Sequence, residues 1–295
     1  MNAFRHALLS TLALPALLLP ALQPASAAES YDSCTGFIDS VPAVITTQGV
    51  WCLRRNLSTN ISASGSHAIT IAANNVTIDC NRFKLGGLAG GNGSQANGIY
   101  ASDKQNATIR QCNIRGFLYG IDLVGGAGHL VEDNRLDNNL YMGIRVSGNN
   151  NLVQRNRVYD TGGAADANSA FGIYAFADVV DNTVSGLFTQ VSDGALLGIR
   201  VYTDGANVSG NTVTGFDVAS IVDNTLLAAQ GISTNAQHVR LANNQIHGGD
   251  LSPINGIGIF VNGGLSSSGY CLGNTIGGFR TDIQCSVSHG NLVLP

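Results

Sequence analysis

The chain has 295 residues and a formal net charge of −4, and only 12% of its residues are charged. Such a chain lacks the basic field that nucleic-acid binding requires, so no nucleic-acid partner is expected. The low share of charged residues, beside 37 glycines, argues against a helical protein and favours stacked polar rows on β-structure.

The first 27 residues have the pattern of a secretory signal peptide. A basic start precedes an apolar run over residues 7–22, and Ala25-Ser26-Ala27 has the small-x-small form of a cleavage site. Two prolines interrupt the run, which is shorter than the roughly 20 residues of a membrane span. We therefore expect a secreted protein, extracellular or periplasmic, without membrane insertion.

Six cysteines follow this leader, an even number that predicts disulfides in an oxidising compartment. They are Cys34, Cys52, Cys80, Cys112, Cys271 and Cys285. Several pairings are possible, and nearest-neighbour pairing is only a working hypothesis.

A short phrase, apolar-x-x-Asn-x-apolar, recurs along the chain, as in VSGNTVTGF at 208–216. The Asn position is filled by Asn81, Asn134, Asn156, Asn182, Asn211, Asn244 and Asn274, and Cys112 fills the position between the first two. A second phrase, Gly-Ile-x-small, begins at 98, 120, 143, 172, 198, 231 and 258. Residues 28–66 lack both phrases, so we expect them to cap the repeat domain, which spans 67–295.

The two phrases predict a solenoid of short strands. Apolar residues alternate over two to five positions between Gly, Asn and Asp, and no segment suits a helix crossing between strands. The Asn positions recur every 22 to 33 residues. Repeats of this length signal stacked coils, in which equivalent residues lie about 4.8 Å apart. The recurring Asn is expected at an inner corner, where its amide bonds to the backbone and to the next Asn.

These phrases resemble those of the pectin-lyase-like superfamily. The resemblance spans roughly residues 60–290 and includes AITIAANNVTIDCNRFKLGG at 68–87, which follows GVWCLRRNLS. It implies an all-β fold, a right-handed parallel β-helix of about nine coils with an N-terminal cap. The superfamily contains polysaccharide lyases, glycosidases, uronate epimerases, adhesins and phage tailspikes, so the fold alone does not settle the function.

In this superfamily the substrate groove follows the strand after the long loops, which here is the Gly-Ile strand. Its outward position is predicted to form a column of Tyr100, Asp122, Arg145, Tyr174, Arg200, Ser233 and Phe260. Two residues further on, a second column contains Ser102, Val124, Ser147, Phe176, Tyr202, Asn235 and Asn262.

Arginine forks bind carboxylates and aromatic faces stack on sugars, so the columns favour an acidic polysaccharide as partner. The leading hypothesis is a lyase or C5-epimerase acting on a uronate-containing polymer. Its predicted catalytic residues are Tyr174, Arg145, Arg200 and Asp122, and its predicted substrate-binding residues are Tyr100, Phe176, Tyr202 and Phe260. In the competing interpretation Asp122 and Arg145 form an ordinary cross-strand pair. The protein is then a non-catalytic glycan-binding, adhesin-like or envelope β-helix.

The sequence predicts no metal site and no cofactor. The Asp cluster of calcium-dependent pectate lyases has no counterpart here, although a calcium ion is a possibility without support from the residues. His129, His238 and His247 lack metal-ligand spacing. Arg135 and Arg157 follow the Asn position on consecutive coils, where Glu132, Asp133 and Asp181 are expected to balance them. The oligomeric state is not predicted.

Overall fold

The computed structural model describes residues 31–191, 194–218, 228–249, 256–262 and 269–294. The predicted signal peptide lies outside these residues. Across the described part the chain forms β-strands and one short 3-10 turn, Leu88–Gly90. None of the helical structure described there is long and apolar enough to span a bilayer.

The strands are short, and we number them along the chain. The first ten are β1 (Gly36–Ile38), β2 (Ala43–Ile45), β3 (Gly49–Leu53), β4 (Leu57–Ser58), β5 (His67–Ile71), β6 (Val76–Asp79), β7 (Lys84–Gly86), β8 (Asn97–Ser102), β9 (Thr108–Arg110) and β10 (Asn113–Arg115). The next ten are β11 (Tyr119–Val124), β12 (Leu130–Glu132), β13 (Arg135–Asp137), β14 (Met142–Gln154), β15 (Arg157–Tyr159), β16 (Ser169–Val180), β17 (Thr183–Phe188), β18 (Ala195–Val201), β19 (Asn207–Ser209) and β20 (Thr212–Asp217). The last are β21 (Ala229–Thr234), β22 (Val239–Ala242), β23 (Gln245–His247), β24 (Gly256–Val261), β25 (Gly269–Leu272), β26 (Thr275–Gly277), β27 (Thr281–Gln284), β28 (Val287–His289) and β29 (Leu292–Leu294).

Every strand pairing is parallel and joins a strand to its counterpart in an adjacent coil, so the chain winds into a parallel β-helix with three walls. Wall 1 holds the Gly-Ile strands, and wall 2 holds the strands that precede the recurring Asn. Wall 3 is a separate sheet of ten strands, β4 to β29. The long β14 and β16 run through walls 1 and 2. Ten coils are thus traced in the described residues, close to the predicted nine.

The inward columns of all three walls form one apolar core. The residue three positions before the Asn is fully buried in coil after coil, from Ile78 and Ile109 to Leu241 and Cys271. The Gly-Ile glycine is required because wall 3 packs close behind it. A Cβ at Gly172 would lie 2.3 Å from Cγ1 of Val184 and 2.6 Å from the carbonyl oxygen of Gly198.

The recurring Asn forms a ladder inside the corner between walls 2 and 3. The residue before it adopts a left-handed backbone conformation, as Asp133, Arg155 and Asp181 do at φ 53–56°. Each Asn Nδ2 then donates to the Oδ1 of the Asn one coil further on, at 2.8–3.1 Å. The ladder runs through Asn134, Asn156, Asn182, Asn211, Asn244, Asn274 and Asn291.

The ladder differs from the predicted Asn series at two residues. Asn291 joins the ladder although it lies outside the predicted series. Asn81 does not join it, because four residues separate β6 from β7 whereas two separate β9 from β10. Its side-chain amide donates instead to the carbonyl of Leu53.

The cysteines pair as nearest neighbours, which confirms the working hypothesis. The disulfides are Cys34–Cys52, Cys80–Cys112 and Cys271–Cys285. Cys80–Cys112 joins the second and third coils at the point where the Asn ladder has not yet begun.

Strand pairing starts before the predicted domain boundary. Within residues 28–66, β1 pairs with β3, and β2, β3 and β4 pair with β5, β6 and β7. The segment therefore already forms a coil, although it lacks both sequence phrases. Its role as a cap, and the boundary at residue 66, stay predictions.

Candidate functional site

Wall 1 carries the outward column on which the functional hypothesis depends. Strand register places the seven predicted residues directly over one another, one per coil, in the order Tyr100, Asp122, Arg145, Tyr174, Arg200, Ser233 and Phe260. The loop of residues 160–168 precedes this wall between β15 and β16, and most of the segment between β20 and β21 lies outside the described residues. The side-chain contacts along the column divide it into two parts.

The first part is a closed ion pair between Asp122 and Arg145. Nε of Arg145 lies 2.5 Å from Oδ1 of Asp122, and Nη2 lies 2.8 Å from Oδ2. The amide of Asn97 donates to the same carboxylate at 2.8 Å. Asp122 is only 1% exposed, whereas the Arg145 side chain is 29% exposed. A ligand on wall 1 therefore meets Arg145 and not the carboxylate beneath it.

Rings flank this pair, of which Asp122 is buried and Arg145 remains partly exposed. The Arg145 guanidinium carbon lies 4.3 Å from the centre of the Tyr119 ring, and His67 stacks on Tyr100 with ring centres 3.9 Å apart. Burial raises the pKa of Asp122, and the Arg145 guanidinium opposes that rise. Burial lowers the pKa of His67, so this ring is neutral at pH 7.

The second part is an aromatic platform next to Arg200. Tyr202 stacks on Phe176 with ring centres 5.1 Å apart and planes 15° apart. Tyr174 lies 4.9 Å from Tyr202, and Phe171 touches Tyr174 edge-on at 5.8 Å. All four rings are half-buried. Their planes are inclined by 39° between Tyr174 and Tyr202 and by 77° between Phe171 and Tyr174, so they form a faceted aromatic surface, and sugar rings stack on aromatic faces.

Arg200 is held beside this platform by neutral acceptors. Its Nε donates to the Tyr202 hydroxyl at 3.0 Å and its Nη2 to Oδ1 of Asn235 at 2.8 Å. Nη1 lies 3.2 Å from both Gln230 Oε1 and Ser233 Oγ, which belong to buried residues. No ion pair involving Arg200 occurs within the described ranges 31–191, 194–218, 228–249, 256–262 and 269–294. The guanidinium is thus fixed in place while its positive charge remains uncompensated.

The phenol of Tyr174 is kept protonated. Burial, with a smaller contribution from the hydrogen bond to Tyr202, raises its pKa to about 12, although the nearby Arg200 and Arg145 act in the opposite direction. At neutral pH Tyr174 is therefore a proton donor and hydrogen-bond donor on wall 1. The raised pKa disfavours a phenolate at Tyr174, which argues against a role as base.

A cleft of about 410 Å³ adjoins the Arg145 end of the column. It lies between residues 92–95 and the inserted loop 164–169, with Tyr119 and Tyr141 at its base. The loop is tied across by a bond from the Gln95 amide to Asp166 at 3.2 Å. The cleft is large enough for one or two sugar rings and opens beside the column.

The structure unites some predicted site residues and separates others. Tyr174, Arg200, Phe176 and Tyr202 lie in one cluster, whereas Tyr100 and Phe260 lie at opposite ends of the column. Tyr119, Tyr141, Asn97 and Gln230 were not predicted. Their only sequence indication is their place next to the Gly-Ile phrase, which does not distinguish a contact from an ordinary turn residue.

Among the residues that the structure describes, no group of three or more His, Cys, Asp or Glu side chains lies close enough to hold a metal ion. His129 is buried and contacts the backbone: its Nε2 lies 3.0 Å from the carbonyl of Gly125, and its Nδ1 accepts from the amide of Ala107 at 3.3 Å. His238 has positive φ at a turn, and Nδ1 of His247 accepts from the amide of Gly249.

Comparison with known families agrees with the coil geometry. The model of a family described as "Right handed beta helix region" matches residues 45–213, more than half of the chain. The predicted right-handed parallel β-helix is thereby confirmed. A comparison with curated proteins finds no match.

Two solved structures resemble the chain at low identity. The Dettilon tailspike protein is 14% identical with a TM-score of 0.49, and the match covers 87% of this chain and 60% of the tailspike chain. The mannuronan C-5 epimerase AlgE6 A-module of Azotobacter vinelandii is 14% identical with a TM-score of 0.41, and the match covers 88% of each chain. This chain thus spans about 60% of the length of the tailspike.

Proposed function

We propose that this chain, which belongs to the right-handed β-helix family, binds an acidic polysaccharide along wall 1 and acts on it as a lyase or C5-epimerase. The observation that carries the proposal is the uncompensated Arg200 beside the platform of Phe171, Tyr174, Phe176 and Tyr202. A guanidinium and flat aromatic faces together suit a sugar that carries a carboxylate.

The contacts assign different roles to the two arginines. Both Nε and Nη2 of Arg145 are occupied by Asp122, so Arg145 is already neutralised. Arg200 contacts neutral groups only, and a sugar carboxylate is the ligand that would compensate it. We therefore assign carboxylate binding to Arg200, and assign Asp122 and Arg145 to shaping the neighbouring surface rather than to proton transfer.

The chemistry follows from neutralising the carboxylate. Once Arg200 offsets its charge, the adjacent C5–H becomes more acidic and a base on wall 1 removes that proton. In a lyase the C5 electron pair then forms a C4–C5 double bond, the C4–O4 bond breaks, and an acid protonates O4. In an epimerase a proton returns to C5 from the opposite face.

Within this scheme Tyr174 is the acid, since its raised pKa disfavours the phenolate that a base would require. We assign the proton-accepting role to the phenolate form of the adjacent Tyr202, whose oxygen accepts a hydrogen bond from Nε of Arg200 at 3.0 Å and becomes a neutral phenol when it takes the C5 proton. Three disulfides are typical of proteins in oxidising compartments. We therefore place the protein outside the cytosol, where such polymers occur.

The test is turnover of defined polyuronates by the purified protein. Polygalacturonate, alginate and glycosaminoglycan are incubated with it, and the unsaturated product is followed by ultraviolet absorbance. Epimerisation is followed by NMR as deuterium uptake at C5 in heavy water. Tyr174→Phe and Arg200→Ala are expected to abolish turnover.

Matched controls come from wall 2, where Tyr270 and Arg240 are exposed. Tyr270→Phe and Arg240→Ala remove the same groups and are expected to keep full activity. Binding without turnover on any polymer would replace the enzyme by the non-catalytic glycan-binding alternative. The absence of both binding and turnover would refute the proposal.

A further inference from the structure

A second groove lies at the Asn corner, between walls 2 and 3 and away from the long loops. We call it the corner groove, and its volume is about 810 Å³. It is lined by Arg82, Gln111, Asn113, Asp133, Asn134, Arg135, Arg155, Asn156, Arg157, Asp181 and Thr183. A groove of this size accommodates several sugar rings.

Two stacked arginines, Arg135 and Arg157, line this groove. Strand register places Lys84, Asn113, Arg135 and Arg157 over one another on successive coils. Arg135 and Arg157 are therefore direct neighbours in adjacent strands, about 4.8 Å apart along the axis. Like charges in this position are destabilising, so the stack is not explained by fold stability.

The nearby carboxylates do not balance the stack, contrary to the expectation from the sequence. Glu132 and Asp133 bind Arg155, at 2.6 and 2.9 Å. Asp137 lies 3.0 Å from Arg115 and at 4.0 Å, the limit of an ion pair, from Arg135.

Three cations remain without a partner. Within the described part of the chain no hydrogen bond or ion pair involves the side chains of Arg82, Lys84 or Arg157. Asp181 lines the groove near Thr183 and forms no ion pair there either. The Asp181 carboxylate makes the Thr183 end of the groove less positive than the rest.

We infer that the corner groove is a separate binding site for an anionic polysaccharide that runs along the helix axis over Arg82, Arg135 and Arg157. The guanidinium groups would bind the acidic groups of the polymer, which recur along its length as the cations recur from coil to coil. The side-chain amides of Gln111 and Asn113 and the hydroxyl of Thr183 supply the partners that sugar hydroxyls need.

The lining favours a polysaccharide over a nucleic acid. A single strand would need aromatic rings for its bases, and the groove lining contains none. A duplex would need a broad basic field, whereas this chain has a net charge of −4 and only two of the unpaired cations, Arg82 and Arg157, line the groove.

Affinity electrophoresis in gels with polygalacturonate tests the inference. All proteins carry Arg200→Ala, so that wall 1 contributes as little as possible and the outcome does not depend on the proposed enzymatic function. The added double substitution Arg135→Ala and Arg157→Ala is expected to weaken binding about tenfold. The matched pair Lys104→Ala and Arg240→Ala removes the same charge elsewhere and is expected to change the affinity less than about twofold.

Two further gels complete the design. A fully methyl-esterified polymer is expected to lose binding to the corner groove, because the carboxylates are gone. Equal affinity of the two double variants for polygalacturonate would overturn the inference. So would duplex DNA binding that is tighter than polygalacturonate binding and that the Arg135 and Arg157 substitutions remove.

Discussion

Replacing Asn182 with alanine tests the Asn ladder at its centre. The Oδ1 of Asn182 accepts from the amide and the side chain of Asn156, at 2.9 and 3.0 Å. Its Nδ2 donates to the carbonyl of Val153 at 2.9 Å, among other partners. The Asn156 side chain keeps other acceptors after the substitution. The Asn156 N–H and the Val153 C=O lose these bonds inside the corner.

Each buried polar group left without its partner costs roughly 1–3 kcal/mol. Asn182→Ala is therefore expected to lower the free energy of unfolding by about 4 kcal/mol. The assay is urea unfolding followed by circular dichroism with the disulfides intact, and several probes must agree because solenoids can unfold in steps.

The matched control is Asn207→Ala on wall 2. Asn207 is half-buried, and among the described residues its side chain bonds to Ser209 and Arg240 at the surface. We expect a loss of about 1 kcal/mol or less. If both variants lose the same small amount, the ladder is not a stabilising feature and the reasoning about the corner is wrong.

Three other predictions concern charged and titrating groups. Arg145→Ala leaves the buried Asp122 without its ion-pair partner, so it should lower the free energy of unfolding by about 3 kcal/mol at pH 7. The loss should shrink as the pH falls, because Asp122 then takes up a proton. Urea unfolding at several pH values measures both. In a spectrophotometric titration, the difference between the wild type and Tyr174→Phe should show a phenol with pKa about 12. Since its folded pKa exceeds the ordinary 10.0, its contribution to stability is present below about pH 10 and is lost as the pH rises toward 12. Arg157→Gln should raise the melting temperature slightly at low salt, because it removes the repulsion from Arg135. The argument for Asp122 is contradicted if the stability loss of Arg145→Ala does not change with pH. The argument for Tyr174 is contradicted if the difference titration is centred at 10, and the argument for Arg157 if Arg157→Gln lowers the melting temperature.

The coil architecture follows from the sequence because period and spacing determine it. Buried Val and Ile at fixed distances from the Asn, and a glycine wherever wall 3 packs close, allow one stacking register. From the sequence alone, that register also predicts that Arg145, Tyr174 and Arg200 form a column. The first coil, by contrast, could not be predicted in this way, because β1 to β4 pair without either phrase.

The division of the site could not be predicted, because register fixes Cα positions and not side-chain partners. Asp122 and Arg200 occupy equivalent positions in the sequence. One is 1% exposed under an arginine, while the other is held by Gln230 and Asn235. At the Asn corner, Arg155 takes the carboxylates expected to balance Arg135 and Arg157, because it turns back toward Glu132 and Asp133.

The Asn ladder points one way: each amide donates toward the next coil and accepts from the one before. From Asn134 to Asn291, each coil therefore offers its neighbour the same hydrogen-bonding groups, so at this corner these coils are interchangeable units. Deleting or duplicating a complete coil would rejoin matching surfaces, whereas losing a single residue would throw every later side chain out of phase. The length of the protein can thus change in modular steps without redesign of its interior.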